Sequence, residues 1–326
     1  MSALPSVAIV MPILNEEKHI AQAVDRLLQQ DYQGPLSIVI AVGPSHDRTS
    51  DVVDQLVAQH PNVIRVENPS GRTPTGLNAA IAATQAEVIV RVDGHALVPK
   101  DYVRQGVETL HRSGADNVGG IMDAEGVTSF QRAVAAAMTS RFGVGGAAFH
   151  VGGSEGVALT VYLGCFKRSA LDRVGGYDES MIRAQDWEMN YRIRATGGQV
   201  WFTPEMRVKY RPRSTPTALA KQYFGYGTWR REVARRYPDT ISVRYLAAPV
   251  MVLAVTMGIL LAIVGLALGI TWLSVLGLVP VALYALGVVF ASVVAGRGSG
   301  RLLLLSIFPI MHFSWGSGFL FGKARS

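Results

Sequence analysis

The chain has 326 residues, 49% of them hydrophobic, with 31 Lys and Arg against 24 Asp and Glu and a formal net charge of +7. This apolar content is high for a soluble enzyme, and a single cysteine, Cys165, excludes any intrachain disulfide. Both excesses are local. Tyr245 to Gly296 contains no Asp, Glu, Lys, Arg or His, while Arg207 to Arg244 holds ten Lys and Arg against two acids, a net +8 that leaves the remainder near neutral.

Val7 to Leu14 is apolar, with no basic residue before it and Asn15-Glu16-Glu17 after it, so it reads as a first buried strand and not as a signal peptide. Short β-branched runs then alternate with helical patterns, the signature of a mainly parallel sheet with crossover helices. Strands are predicted at Val7–Pro12, Ser37–Val42, Val63–Glu67, Val88–Val92 and Asn117–Ile121. Helices fall between them at Glu17–Gln30, Thr49–Gln59, Thr75–Ala83 and Asp101–His111. Gly143 to Gly156 breaks the pattern and reads as a mobile loop able to close as a lid. Its G-x-G-x-x-A match has no strand before it and no acid at the right distance after it, which excludes a dinucleotide fingerprint. A strand at Thr160–Phe166, a helix at Asp186–Thr196 and a short strand at Gln199–Phe202 follow.

From Pro216 a helix mixes Tyr223, Phe224, Tyr226 and Trp229 with Lys221, Arg230, Arg231, Arg235 and Arg236. Aromatics among cations suit a helix lying in a membrane interface, facing anionic lipid headgroups, and a basic amphipathic helix packed on the head is the alternative. No nucleic-acid reader motif accompanies the charge, so nucleic acid is not the expected partner. Leu246–Ile270 and Trp272–Ala295 are each long enough to span a bilayer. The basic loop Arg297-Gly298-Ser299-Gly300-Arg301 is expected on the cytoplasmic side. Leu302–Phe321 either crosses as a third span or lies re-entrant or in plane, and both stay open. The expected organisation is a head at residues 1–215, a basic interfacial helix and linker at 216–244, and a membrane region at 245–326 of a multi-pass cytoplasmic-membrane protein with its head in the cytosol.

Three segments carry candidate chemistry. Arg91-Val92-Asp93-Gly94-His95 ends a strand, where open α/β sheets collect ligands. Asp93 and His95 are a candidate pair for a divalent cation, and carboxylate with imidazole favours Mn²⁺ over Mg²⁺. Ala184 to Arg192 places Asp186 at a helix start, as a cap or as a presented base. There Glu188 and Arg192 sit one helical turn apart, where each can brace the other. Pro12 to Glu17 is a strand leaving into an acidic turn that ordinary capping would also explain.

In their order and spacing these segments resemble the family 2 glycosyltransferases with a GT-A head, in particular the membrane-anchored succinoglycan-biosynthesis branch. The resemblance runs over residues 6–240 through Pro12 to Glu17, Gly43 to Thr49, Asn78, Arg91 to His95, Gln185 to Glu188, Tyr210 to Arg213 and Gln222 to Gly227. It implies a Rossmann-like, mainly parallel GT-A sheet, followed by the interfacial helix and transmembrane helices. It also implies an inverting transfer from a nucleotide-sugar to a hydroxyl of a lipid-linked or membrane-proximal glycan. Asp93 and His95 take the place of the family's D-x-D element, with His95 for the second Asp. Asp186 stands at the general base. Pro12, Asn15, Glu17, Asp47, Asn78, Arg91 and Asp93 are expected on the donor side. Gln185, Trp187, Glu188, Arg213, Gln222 and Trp229 are expected on the acceptor or diphosphate side. Val42-Gly43 replaces the acidic pair that relatives carry after the second strand, which weakens the expectation of UDP and leaves GDP or another donor open. A polyprenyl-phosphate sugar synthase is the alternative enzyme, and a non-catalytic membrane adaptor the alternative from another class.

Overall fold

The computed structural model describes residues 4–298 and 300–324; Ser299 of the basic loop and Arg325 at the C-terminal end lie outside them. In chain order the elements are β1 (Val7–Ile13), α1 (Ile20–Leu28), β2 (Leu36–Val42), α2 (Thr49–Gln59), β3 (Val63–Glu67), α3 (Thr73–Ala82), β4 (Val88–Arg91), α4 (Tyr102–Ser113) and β5 (Asn117–Ala124). Then come α5 (Ser129–Met138), α6 (Arg141–Val144), α7 (Ala148–Val151), β6 (Gly156–Val157), β7 (Tyr162–Lys167), α8 (Arg168–Val174), α9 (Gln185–Ala195) and β8 (Val200–Tyr210). Last are α10 (Pro216–Arg236), α11 (Val243–Ala267), α12 (Thr271–Ala295) and α13 (Gly300–Phe321).

These form two compact units. One holds the chain up to Asp123 together with Ala147–Tyr210, and the other holds Ala124–Gly146 together with the chain from Arg211 onward. The first unit is built on one sheet of order β3-β2-β1-β4-β7-β5-β8-β6. The pairs β1–β2, β1–β4 and β2–β3 are parallel, whereas β4–β7, β5–β7 and β6–β8 are antiparallel. Alternation along β1 explains why both faces are covered. Val7, Ile9, Met11 and Ile13 join one core with Ile20, Val24 and Leu27 of α1 and Tyr102, Val103 and Val107 of α4. Ala8 and Val10 join the other with Leu77 and Ala80 of α3 and Met189 and Ile193 of α9. A strand buried on both faces reads as a continuous apolar run, which is why Val7–Leu14 mimics a leader segment.

The parallel register aligns Ile13 with Val42 and Val10 with Arg91, so β1, β2 and β4 end on one edge. The loops leaving that edge differ from the sequence expectation at α1, which starts at Ile20 and not at Glu17. Asn15 takes a left-handed φ of 56°, turning the chain. The next backbone N–H groups are then claimed by side chains, Asn15 by Ser45 Oγ (3.0 Å), Glu16 by Thr49 Oγ1 (2.8 Å) and Glu17 by Asp47 Oδ2 (3.2 Å). The strand expected at Gln199–Phe202 runs on to Tyr210.

The second unit is helical. Its helix α10 starts on Thr215, whose Oγ1 accepts from Ala218 N, with Pro216 in the first turn. It packs on α13 through small residues. A Cβ built at Gly227 would lie 2.0 Å from the Trp315 carbonyl oxygen, and one at Gly318 would lie 2.1 Å from that of Phe224. Arg231 Nη1 donates to the Leu320 and Gly322 carbonyls at 3.0 and 3.2 Å, satisfying the end of α13. Tyr223 and Trp229 are consequently buried, while Phe224 and Tyr226 stay exposed. Only part of the aromatic set is therefore available to an interface. Helices α11 and α12 form a hairpin with glycines at the crossing, where Gly277 meets the backbone of Gly258 and Ala262. By length and composition α11, α12 and α13 can each cross a membrane, and α13 is one continuous helix through Pro309.

Helix α5 was not expected from the sequence. It opens with a capping box, Thr128 and Gln131 bonding reciprocally, and Gln131 Nε2 also donates to the Pro212 carbonyl at 3.0 Å. The Gly143–Gly156 passage that follows is no plain loop. Its leading end is fixed by His312 Nε2 on the Phe142 carbonyl (2.8 Å), by Arg244 Nη2 on the Val144 carbonyl (2.9 Å), and by an edge contact of Phe142 with Phe290. Positive φ is confined to Gly145, Gly152 and Gly153, beyond that anchor.

Candidate active site

At the carboxyl edge of the sheet Arg91, the last residue of β4, is 5% exposed. Its guanidinium divides between two carboxylates. Nε and Nη2 donate to Asp93 Oδ1 at 3.3 and 3.2 Å, and Nη1 donates to Asp186 Oδ1. Tyr177 lies beneath with the guanidinium carbon 6.0 Å from its ring centroid. Both carboxylates keep about a quarter of their surface open, 25% each. Burial opposes the Arg91 charge, but Asp186 and Asp93 outweigh it and raise its pKa. For Asp186 burial is the larger effect, opposed by Arg91 and by the Leu163 backbone N–H and reinforced by Asp93, and it pushes the carboxyl up to about 6.

Helix α9 presents Asp186 from its first turn without using it as a cap. The cap residue is Ala184 at φ 60°, with no side-chain cap bond. Of the cap and presented-base alternatives, the geometry has the carboxylate turned to Arg91. Asn15, Leu163 and Ala184 are the non-glycine residues with positive φ among the described residues. All three serve this edge: Asn15 turns the β1 exit, Leu163 donates to Asp186, and Ala184 starts its helix. Left-handed backbone in such residues persists only where its surroundings enforce it, and it clusters at functional sites.

The other candidates separate by what they touch. Pro12 is half-buried in β1, where it and Asn68 closely flank Gly76 of α3. Asn15 Oδ1 accepts from His46 N at 2.8 Å, and Glu17 Oε2 accepts from Arg48 N at 3.2 Å. Asp47 accepts from the Thr49 hydroxyl and N–H and from Glu17 N, which holds its carboxyl below the usual range. These residues build the edge loops. Asn78 pins the turn before α9, accepting from Tyr177 N (2.8 Å) and donating to the Tyr177 carbonyl (2.9 Å) and Glu179 Oε1 (3.1 Å). His95 is exposed and shares a 2.8 Å hydrogen bond between Nδ1 and Glu16 Oε1.

On the expected acceptor side, Gln185 opens α9 half-buried beside Asp186. Trp187 stacks on Tyr191 with ring centroids 5.8 Å apart. Glu188 makes the brace that its spacing from Arg192 allowed. It is 1% exposed and bound fork to fork by Arg192, Nε to Oε1 at 2.6 Å and Nη2 to Oε2 at 2.7 Å. Its two oxygens are turned into the protein, because α9 buries that face against the sheet. Arg213, Gln222 and Trp229 belong to the second unit, where Arg213 is exposed, Gln222 Nε2 donates to Tyr226 Oη at 2.9 Å, and Trp229 is buried. Glu16 and Tyr177 had no motif signal of their own. Glu16 lay inside the acidic turn, and Tyr177 in a glycine-flanked stretch before α9 that carried no assignment.

This mixed sheet is the GT-A fold of nucleotide-sugar transferases, with two acids and an arginine at its carboxyl edge. The family model described as "Glycosyltransferase like family 2" matches residues 5–225. The chain belongs to that family. Among curated proteins it is 32% identical over 317 residues to the succinoglycan biosynthesis protein ExoA of Rhizobium meliloti (strain 1021), covering 95% of this chain and 93% of that protein. It is 24% identical over 239 residues to a dolichyl N-acetyl-alpha-D-glucosaminyl phosphate 3-beta-D-2,3-diacetamido-2,3-dideoxy-beta-D-glucuronosyltransferase of Methanococcus voltae, covering 71% of this chain and 74% of that one. Among solved structures it resembles the mannosyltransferase PcManGT from Pyrobaculum calidifontis, solved in complex with GDP-Man and Mn²⁺. The TM-score is 0.60 at 19% identity, over 98% of this chain and 88% of that one.

Proposed function

We propose that this family 2 glycosyltransferase is an inverting enzyme that moves a sugar from a nucleotide-sugar to a hydroxyl of a lipid-linked or membrane-proximal glycan, at the cytosolic face of the cytoplasmic membrane. The observation that carries the reading is Asp186. It is partly open, held by the same buried guanidinium as Asp93, and poised at about 6. A base near neutrality is ionised at cellular pH yet still drawn to a proton. The acceptor oxygen attacks the anomeric carbon as its proton passes to Asp186. The bond from that carbon to the diphosphate oxygen breaks, and its electron pair leaves with the nucleoside diphosphate. Arg91 keeps Asp186 oriented and spreads the charge it shares with Asp93. The similarity to a succinoglycan biosynthesis protein supports a glycan acceptor.

A divalent cation fits the donor set as one shared with the diphosphate. Among the described residues no cluster of three His, Cys, Asp or Glu side chains could hold an ion alone, whereas Asp93 and His95 could supply two ligands and the phosphates the rest. Bound there, the cation would neutralise charge on the leaving diphosphate. The Glu16 carboxylate on Nδ1 favours the His95 tautomer whose lone pair is on Nε2, an arrangement typical of metal-binding histidines. Imidazole with carboxylate favours Mn²⁺. The test is Asp186→Asn in the full chain in detergent. Nucleotide binding stays within about twofold, while turnover falls by about 10²-fold or more, the usual worth of a general base. Turnover near wild type with intact binding would remove Asp186 as the base and favour an acceptor already ionised, a polyprenyl phosphate.

A further inference from the structure

In the second unit, residues from α5, from the end of α12 and from the start of α13 line a half-open cavity of about 570 Å³. Its polar wall carries Arg132, Arg297, Ser129 and Ser140, and its apolar wall includes Leu303 and Leu304. No acid lines it, and among the described residues neither arginine pairs with a carboxylate. Two cations brought together without a counter-charge repel each other, so the arrangement favours an anion between them. Arg132 spends one N–H on the Val127 carbonyl and another on Ser129 Oγ (3.0 Å), which leaves three of its five donors for a ligand. Those two bonds also hold the guanidinium in place.

The level of the cavity narrows the anion's source. Both apolar helices bordering it are long enough to cross a membrane, and the cavity lies where α12 ends and α13 begins. It therefore sits at headgroup depth, where a bound phosphate brings an alkyl chain with it. A solvent-facing phosphate site has no need of a leucine wall. We infer that this cavity is a binding site for the phosphate headgroup of a membrane lipid, gripped by Arg132 and Arg297 with its chain against Leu303 and Leu304. The inference is independent of Asp186 and of the transfer reaction.

The full chain, stripped of lipid in detergent, would be titrated with short-chain phosphatidylglycerol, phosphatidylcholine and inorganic phosphate, and bound lipid counted by native mass spectrometry. One phosphatidylglycerol should be retained. Arg297→Gln should weaken it about tenfold or more, the loss of one charge-assisted phosphate contact. Arg235→Gln, an equally basic change on an exposed side chain outside the cavity, should leave it unchanged. Because the Arg297 side chain is exposed and no hydrogen bond or ion pair of it is seen among the described residues, its variant should keep the wild-type melting temperature. Equal loss in both variants would reduce the site to general surface charge. Phosphatidylcholine binding as tightly as phosphatidylglycerol would overturn the preference for a net-anionic headgroup that the two arginines imply, and inorganic phosphate displacing the lipid at equal concentration would overturn the lipid assignment.

Discussion

Arg91→Gln is the most discriminating perturbation of the site. In the wild type, with Asp186 at about 6, roughly nine-tenths of it is ionised at pH 7. An adjacent guanidinium lowers a carboxyl by about 1–3 pKa units. Removing it leaves Asp186 buried beside Asp93, so its pKa should climb to about 8. The ionised fraction at pH 7 then drops to about a tenth, and turnover falls about tenfold for that reason alone. The signature is where the activity returns. A pH–rate profile of kcat/KM for the donor, which reports the unliganded enzyme, should show its acid limb moved from about 6 to about 8, with much of the loss recovered by pH 9. Arg91→Lys should give an intermediate limb. The substitution also leaves two carboxylates without their buried partner, a cost of about 3–5 kcal/mol, so the profile is measured well below the variant's melting temperature. An acid limb still at about 6 with turnover depressed equally at every pH would refute the charge-coupling argument.

Other outcomes follow from the same geometry. Asp186→Asn should raise thermal stability at pH 8 and lose that advantage towards pH 4. The folded-state pKa lies above the ordinary carboxylate value, so the ionised group costs stability as pH rises through about 6, and differential scanning fluorimetry at both pH values checks this. Glu188→Gln breaks the buried fork with Arg192 and should cost about 3 kcal/mol in chemical denaturation; the donor KM of the surviving folded fraction should not change. Ala184→Gly relieves a left-handed cap and should stabilise by about 1 kcal/mol, read as a higher denaturation midpoint. Gly227→Val drives a side chain into the Trp315 carbonyl and should loosen α10 from α13, seen as faster tryptic cleavage at Arg230 and Arg231.

The parallel half of the sheet was legible because apolar runs of strand length recur between helical patterns, and because the candidate site residues follow β1, β2 and β4. The antiparallel partners were harder to read. β8 continues beyond Phe202 through Pro204 and a run of charged residues, Glu205, Arg207 and Lys209, that reads as loop. Asp93 and Asp186 were visible as acids at element ends, but not their shared guanidinium, since Arg91 and Asp186 are 95 positions apart. The burial of Glu188 was hidden for a related reason. Its pairing with Arg192 was plain, while its burial depends on which face of α9 meets the sheet, and that helix has almost no amphipathic pattern to declare it. Helix α5 was missed because its alanine-rich face looks soluble until α13 supplies the surface it covers.

That last dependence sets an order of events during synthesis. Helices α5 and α6 are translated midway through the chain, between strands β5 and β6 of the sheet, yet their packing partners are the last apolar helices to emerge. The ribosome completes the whole α/β sheet while this insert still has nothing to rest on. The bond from His312 to the Phe142 carbonyl, joining residues 170 positions apart, closes only when α13 is in place. A nascent chain therefore carries an exposed, alanine-rich insert until its C-terminal helices arrive, and termination anywhere before α13 leaves it so permanently. Helices α5 and α6 therefore gain their packing surface only after every strand of the sheet has been made.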